Sequence, residues 1–322
     1  MMPVLHSTKN VHVVEPPTAE REGVGVFEYT DHFSVFHHGR MPDPIPGKGE
    51  ATCRMAAFNF GLLEEAGIRT HFRRLIAPDR IEFTLARLPE QLDQPLMQTA
   101  GNYLLPLQVL FRNELPPGSS VHRRLAAGDI TPADVGLDAV PALGAKLRRP
   151  VIEYATTRDD VNRFITPGAA RHLAGLDDEQ FAALREITCK VNTVLTGHAD
   201  RVGLSHCDGK AEYLMASDGQ LVLADSPGTP DESRLMFDGV HCGKQNLRDW
   251  YVRTGNQIPV GKLLADGVPR DRWPKPAPLP PAYVAVMADL YRSLSETWTG
   301  EQRWGAPDLQ TSTRAVTDLV GR

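Results

Sequence analysis

Four charged residues in one predicted hairpin have the types and spacing needed for phosphate chemistry. Asp208, Lys210 and Glu212 alternate along a strand start, and the side-chain period of two turns all three toward one face. Asp225 follows the short apolar run 221–224, which is typical of a buried strand. The Ser-Asp-Gly-Gln connection favours a tight antiparallel turn, so we expect Asp225 to lie near the other three.

This arrangement has a functional and a structural interpretation. Glu212 and Asp225 could bind a divalent cation that is bridged to a nucleotide phosphate, which is the usual arrangement for magnesium. Lys210, between two acids, suits contact with a phosphate or a developing anion. The alternative is a solvated hairpin face with charges of both signs, and the spacing alone leaves both interpretations open.

Two further stretches carry candidate binding residues. In residues 111–124, Arg112 follows a strand, and Ser119 lies in a Gly-Ser-Ser turn whose N–H and hydroxyl groups could bind an anion. The same residues also fit a plain loop with a helix N-cap. In residues 29–50, Ser34, His37 and Lys48 lie among turns, where binding sites are often found.

The elements that must position these residues follow from the apolar spacing. Residues 10–14 and 24–29 predict an N-terminal hairpin, and residues 81–88 and 104–115 predict two more strands. Helical spacing predicts helices over 49–67 and 177–203, with a last helix over 282–299. The turn-rich segment 124–150 is expected outside the core. The pattern indicates a mixed sheet with helices, an α+β protein.

Composition narrows the class of protein. The chain has 322 residues and a formal net charge of −5, which argues against a general nucleic-acid partner. The four cysteines show no paired or zinc-like spacing, so a reducing cytoplasm is the expected location. The first residues lack a secretion signal, and no apolar run is long enough to span a bilayer. We therefore expect no membrane partner, and the number of subunits, a homo-oligomer included, is left open.

Taken together, these stretches resemble SAICAR synthetase, the purine-pathway ligase that uses ATP to join aspartate to a carboxyaminoimidazole ribonucleotide. The resemblance is carried in order by "FSVFHHGRMPDPIPGKGE", "LFRNELPPGSSVHRRL", "PVIEYATTRDDVNRF" and "DGKAEY…LVLADSPGTPDESR". It covers about residues 5–255. It implies a two-lobed α+β fold, with a small antiparallel N-terminal lobe at 1–106 and an ATP-grasp-like lobe at 107–322 that holds the C-terminal helix.

The resemblance also implies a reaction. ATP phosphorylates the substrate carboxylate, and an amine then attacks the acyl phosphate to form an amide. The protein contributes mainly positioning and charge neutralisation. The partners are small molecules, namely a phosphorylated azole nucleoside carboxylate and an amino acid.

Roles are implied position by position. Lys210 and Asp208 would be catalytic, facing the reacting centre. Lys9, Glu212 and Asp225 would bind ATP, and the two acids would hold Mg²⁺. The residues implied to bind the remaining substrate are Arg112, Ser119, Arg234, Ser34, His37 and Lys48.

Departures from the family pattern leave the substrate open. His6 stands where the family usually begins its N-terminal loop with glycine, and His32 and His37 replace an arginine and an acid. Ser226 replaces the acid that usually follows Asp225. One alternative is a paralogue in nucleoside natural-product biosynthesis with a changed carboxylate or amine. Another is a catalytically silent nucleotide-binding protein.

Overall fold

Two antiparallel sheets form the framework of the computed structural model, which describes residues 4–5, 8–35, 38–88, 101–157 and 162–321. The first sheet has the strand order β1-β2-β3-β5-β4. Its strands are β1 (Val4–Leu5), β2 (Lys9–Glu15), β3 (Gly23–Tyr29), β4 (Phe72–Ala77) and β5 (Arg80–Leu85). The predicted N-terminal hairpin is confirmed as β2 and β3, and the strand predicted over 81–88 is β5.

The second sheet has the order β12-β11-β9-β6-β7-β8, with β10 paired to β9. Its strands are β6 (Tyr103–Glu114), β7 (Lys146–Thr156), β8 (Phe164–Ile165), β9 (Ser205–Met215), β10 (Leu221–Ala224), β11 (Ser233–Phe237) and β12 (Val240–His241). The two sheets match the predicted α+β class. They also fit the predicted two-lobed fold, while the predicted bounds of the lobes, whose boundary at 106/107 falls inside β6, stay a prediction.

Eight α-helices of the described chain surround the sheets: α1 (Lys48–Glu65), α2 (Ser120–Ala127), α3 (Pro167–Leu173), α4 (Asp178–Arg201), α5 (Lys244–Arg253), α6 (Val260–Ala265), α7 (Pro281–Thr299) and α8 (Leu309–Val320). The helices predicted over 49–67, 177–203 and 282–299 are confirmed as α1, α4 and α7. The expectation that α7 is the last helix is wrong, because Asp308 caps α8 by accepting from Thr311 N at 2.7 Å. None of the described helices is both long and apolar enough to cross a membrane.

Helix α4 shows how the sequence fixes the core. A capping box starts it, because Asp177 accepts from Gln180 N at 2.8 Å and the Gln180 side chain accepts from Asp177 N at 3.1 Å. Leu184, Val191 and Leu195 then recur at helical spacing and are fully buried. They join one apolar core with inward residues of β6 and β9, and α4 packs on these strands. The central strands are therefore held rigidly under the charged residues that they carry.

Candidate active site

One large cleft, about 2090 Å³ in volume, runs between the two sheets and α5. Single-ligand pockets are about 300–1,000 Å³, so this cleft has room for more than one ligand. Its lining changes character along its length. Apolar side chains line the part formed by the first sheet and the adjoining strands: Val11, Val13, Phe27, Phe83, Leu85, Leu104 and Leu214. Charged side chains line the rest: Lys9, Lys210, Glu212, Asp225, Glu232, Arg112, Asp208, Arg234, Arg123, Lys244 and Arg248.

Strand pairing brings the predicted hairpin residues together. Strand β10 ends with Ala224 opposite Glu212, and β11 begins with Ser233 opposite Gly209, on the same edge of β9. The loop between these two strands therefore leaves and rejoins the sheet beside Lys210. This topology puts Asp225 and Glu232, the two ends of that loop, next to the Lys210 side chain.

The Lys210 ammonium is the centre of this cluster. Its Nζ lies 2.8 Å from Glu232 Oε2, 3.5 Å from Glu212 Oε1 and 3.6 Å from Asp225 Oδ2. Burial by itself lowers the pKa of Lys210, but the carboxylates, Glu232 first, outweigh burial and raise it above its ordinary value. Lys210 is therefore a fixed positive charge at neutral pH.

Asp225 also binds the N-terminal sheet. Lys9 Nζ donates to Asp225 Oδ1 and, at 3.1 Å, to the hydroxyl of Ser226. Burial alone raises the pKa of Asp225, but the Lys9 and Lys210 charges outweigh it and hold that pKa well below its usual range. The backbone of Asp225 is left-handed, with φ 64°, and the neutral His71 ring hydrogen-bonds its carbonyl oxygen at 3.2 Å. Burial lowers the pKa of His71 to about 4.

Glu212 is oriented from the opposite side. Gln108 Nε2 donates to Glu212 Oε1 at 3.2 Å, and Asn162 Nδ2 donates to Gln108 Oε1 at 3.1 Å. Burial and the nearby Asp225 charge raise the pKa of Glu212. Both acids reach the same ammonium, so their oxygens converge on a position where a cation is stabilised.

These residues fit a magnesium ion that is shared with a nucleotide. Mg²⁺ usually takes one or two protein carboxylates and completes its coordination with water and substrate phosphates. Within the described ranges, no group of three or more His, Cys, Asp or Glu side chains is arranged to hold a metal ion by itself. The Glu212–Asp225 pair therefore fits a metal that arrives with phosphate oxygens rather than one bound in a protein cage.

A ladder of alternating charges crosses the second sheet farther along the cleft. Arg112 on β6 donates to Glu153 on β7 at 2.7 Å and to Asp208 on β9 at 3.2 Å. Arg234 on β11 donates to the same oxygen of Asp208, and Arg124 on α2 donates to Glu153. Burial alone raises the pKa of Asp208, but the two arginines, Arg234 first, outweigh it and lower that pKa. Each charge on a strand has a partner on the neighbouring strand, and Arg124 adds a partner from α2.

The cationic end of the cleft was only partly predicted. Arg248 and Lys244 lie four residues apart on α5, and both line the cleft. Burial and the Arg248 charge lower the pKa of Lys244 to about 8, and burial and the Arg234 charge lower that of Arg248 to about 10. The i, i+4 spacing of Lys244 and Arg248 was a sequence signal for a shared cationic face.

The remaining predicted residues take different positions. Ser119 is the N-cap of α2 and accepts from Val121 N at 3.4 Å, as its structural interpretation predicts, while its neighbour Ser120 lines the cleft and accepts from Arg112 at 3.1 Å. Ser34 lines the cleft. Lys48 is fully buried behind it and donates to Asp231 at 2.6 Å.

Two histidines named by the sequence, His6 and His37, lie outside the described residues. Glu153 and Glu232 are site residues to which the sequence interpretation gave no role. Glu232 lies inside the motif that was singled out, but only the strand register places it at Lys210.

The fold is α+β, and the cleft has an apolar slot, a carboxylate–lysine centre and a cationic end. Together they define the class of protein as an enzyme. The sequence model of the family described as SAICAR synthetase matches residues 15–259, and the chain belongs to that family. Its members are ATP-dependent ligases that form a carbon–nitrogen bond, and this chain is a ligase of that type.

Individual relatives agree with this assignment. An Archaeoglobus fulgidus protein named "Putative phosphoribosylaminoimidazole-succinocarboxamide synthase" is 36% identical over 94% of this chain and 96% of its own length. Phosphoribosylaminoimidazole-succinocarboxamide synthase of Thermoplasma acidophilum is 31% identical over 87% of this chain and 94% of its own.

A solved structure, "SAICAR synthetase (Type-2) in complex with ADP", has the same fold, with a TM-score of 0.65 and 21% identity over 94% of this chain and 99% of its own.

Proposed function

We propose that the chain catalyses the reaction for which its relatives are named: ATP-dependent joining of aspartate to the carboxylate of a carboxyaminoimidazole ribonucleotide. The observation that carries this proposal is the order of environments along a single cleft. An apolar slot, a carboxylate–lysine centre and a cationic end suit an adenine base, a transferring phosphoryl group and a substrate phosphate, in that sequence.

ATP is proposed to bind with its adenine base in the apolar slot and its phosphates at the inner end of that slot. The apolar slot beside Phe27 and Phe83 suits a purine ring, and Lys9 lies at its inner end, where it can donate to the triphosphate. Glu212 and Asp225 would hold Mg²⁺, which when bound neutralises phosphate charge. Lys210 contacts both acids, so it is proposed to donate to the phosphoryl group as its charge develops.

The second substrate is proposed to lie toward the arginine ladder. Its carboxylate oxygen attacks the γ-phosphorus of ATP next to Lys210, and the bond to ADP breaks. The aspartate nitrogen then attacks the acyl phosphate, so that phosphate and a proton leave and the amide forms. Its ribonucleotide phosphate would be held by donors at the cationic end, namely Arg234, Ser120, Arg123, Lys244 and Arg248. Asp208 keeps Arg112 and Arg234 in fixed directions, and fixed donors stabilise an anion without reorganising.

Ser226 and the named relatives bear on which substrates the protein uses. The Ser226 hydroxyl hydrogen-bonds Tyr29 at 2.6 Å, so this departure from the family pattern is used in packing against the first sheet. Relatives aligned along most of the chain carry the purine enzyme's name, which favours the ordinary substrates over a natural-product paralogue. We also propose a cytoplasmic location, and assembly into a homo-oligomer stays a prediction.

A coupled assay tests the proposal. Purified protein is incubated with ATP, Mg²⁺, carboxyaminoimidazole ribonucleotide and aspartate, and ADP release is measured together with the mass of the amide product. We expect one ADP for each amide, and no amide when any one substrate or the metal is omitted. ADP release with a different carboxylate or amine only would favour the paralogue. Nucleotide binding without ADP release under every combination would favour a silent binding protein.

A further inference from the structure

Glu232 is the closest acid to the Lys210 ammonium, and the proposed reaction gives it no role. Its Oε2 lies 2.8 Å from Lys210 Nζ, and its side chain is only 10% exposed. The pair is also fixed through the backbone, because Lys210 N donates to the Glu232 carbonyl oxygen at 3.1 Å. Glu232 therefore holds Lys210 by both main chain and side chain.

The arrangement contains a competition between two cations. The Lys210 ammonium lies within 3.6 Å of both acids that are proposed to bind Mg²⁺. An ammonium and a divalent ion cannot both occupy the space between Glu212 and Asp225. Metal binding therefore requires the Lys210 ammonium to move away from these two acids. Because the ammonium is largely buried, its new position must have a compensating negative charge beside it.

We propose that Glu232 is a positioning residue that draws the Lys210 ammonium away from the Glu212–Asp225 pair, so that the nucleotide-bound metal enters without competition from the lysine. This inference rests on the proposed function. Glu232 provides the shortest of the three contacts, and it lies on the loop side of Lys210. An ammonium that turns toward Glu232 keeps a buried partner and stays beside the reacting phosphoryl group.

A third metal ligand would be a different role for Glu232, and the geometry favours positioning. Glu212, Asp225 and Glu232 surround the lysine, yet among the described residues no three such side chains are grouped as metal ligands. Glu232 Oε2 lies 2.8 Å from the Lys210 ammonium, so the partner that this carboxylate faces is the lysine. The two roles predict different behaviour once the lysine is removed.

Metal binding in the presence of ADP distinguishes them. The full chain is titrated with Mn²⁺ and ADP, and bound Mn²⁺ is measured by electron paramagnetic resonance for wild type, Glu232→Gln, Lys210→Met and the double variant. We expect Glu232→Gln to weaken Mn²⁺ binding about 10-fold, the size typical of a group that orients a metal site. In the Lys210→Met background the same change should have less than about a third of that effect, because the competing ammonium is gone.

Controls separate this inference from the proposed function. Glu179→Gln makes the same chemical change on an exposed glutamate of α4 and should leave Mn²⁺ binding unchanged. The positioning role would be overturned if Glu232→Gln weakened Mn²⁺ binding as much in the Lys210→Met background as in the wild-type background. It would also be overturned if Glu232→Gln left Mn²⁺ binding by the otherwise wild-type chain unchanged. If the Glu232→Gln variant does not fold, a comparison of Mn²⁺ binding by Lys210→Met and by the double variant still decides between the two roles of Glu232. If the Asp225→Asn variant binds Mn²⁺ as tightly as wild type does, the metal assignment on which the inference depends is overturned instead.

Discussion

A buried ion pair between α1 and the cleft loop gives the sharpest quantitative prediction. Lys48 donates to Asp231 Oδ2 at 2.6 Å, and the two side chains are 1% and 4% exposed. The Tyr291 hydroxyl donates to the other carboxylate oxygen at 3.1 Å. Asp231 lines the cleft, so this pair anchors the loop that carries Glu232. Lys48→Met keeps most of the side-chain volume and removes the charge.

The expected cost follows from the burial of both partners. Removing one member of a buried pair costs about 3–5 kcal/mol, because the other charge is left without compensation. Asp231 keeps the Tyr291 hydrogen bond and the more distant Lys244 charge, so we expect the lower end, about 3 kcal/mol. The control is Lys146→Met, because Lys146 is 78% exposed and lies 3.4 Å from Glu114. Exposed pairs contribute about 0–1 kcal/mol.

The assay is urea unfolding at pH 7 and at pH 5. Burial alone raises the pKa of Asp231, but the Lys48 charge outweighs it, so that pKa is below its ordinary value of 3.8. The stability from this pair is therefore present at neutral pH and is lost only as the pH falls through the lowered pKa. Without Lys48, burial should raise the Asp231 pKa above its ordinary value, and the variant should recover stability relative to wild type toward pH 5.

Two results would refute this reasoning. One is a loss of free energy of unfolding below about 1 kcal/mol at pH 7, which is the size of an exposed pair. The other is a loss of the same size at both pH values, which would mean that the carboxylate does not take up a proton when its partner is removed.

Three other perturbations test the site. Asp225→Asn should lower ADP release at least about 100-fold; asparagine tolerates the left-handed backbone at φ 64°, so the loop conformation is kept although Lys9 and Lys210 lose a charged partner; near-normal release at ordinary Mg²⁺ would contradict the metal assignment. Lys244→Met should flatten the pH dependence of KM for the phosphorylated substrate, which in wild type should rise above pH 8 as the Lys244 ammonium, with its pKa of about 8, loses its proton; KM measured from pH 7 to 9 decides, and an unchanged slope excludes Lys244. Ser119→Ala should cost about 1 kcal/mol in urea unfolding with little change in KM, since Ser119 caps α2; a large rise in KM at unchanged stability would favour direct binding.

The predicted hairpin succeeded because its geometry depends on local periodicity. A strand turns every second side chain to one face, so the formation of β9 by itself places Lys210 and Glu212 on the same face. The turn residues fixed the antiparallel partner, and Asp225 followed from the end of the apolar run. The helix α4 was equally predictable from its apolar spacing and its capping box.

Partners that depend on sheet order were not predictable from local pattern. Glu153 meets Arg112 because β7 lies beside β6, and nothing within either segment specifies that neighbour. Lys48 begins an amphipathic helix, and its burial depends on α7, which lies more than 200 residues away in sequence and contributes Tyr291. Helix α8 was missed although Asp308 is an N-cap residue, because the helix over 282–299 was expected to be the last one.

The pairing of the cleft cations explains how they can still bind anions. Arg112 and Arg234 already donate to Asp208, and Lys9 donates to Asp225. An arginine has five N–H donors and a lysine three, so each can add a phosphate oxygen without releasing its carboxylate. The carboxylates thus keep the donors aimed into the cleft, which lowers the entropy lost on binding. Lys210 differs, because its ammonium lies within 3.6 Å of both Glu212 and Asp225, the acids proposed to bind the metal, and we expect the ammonium to move when the nucleotide and its metal bind.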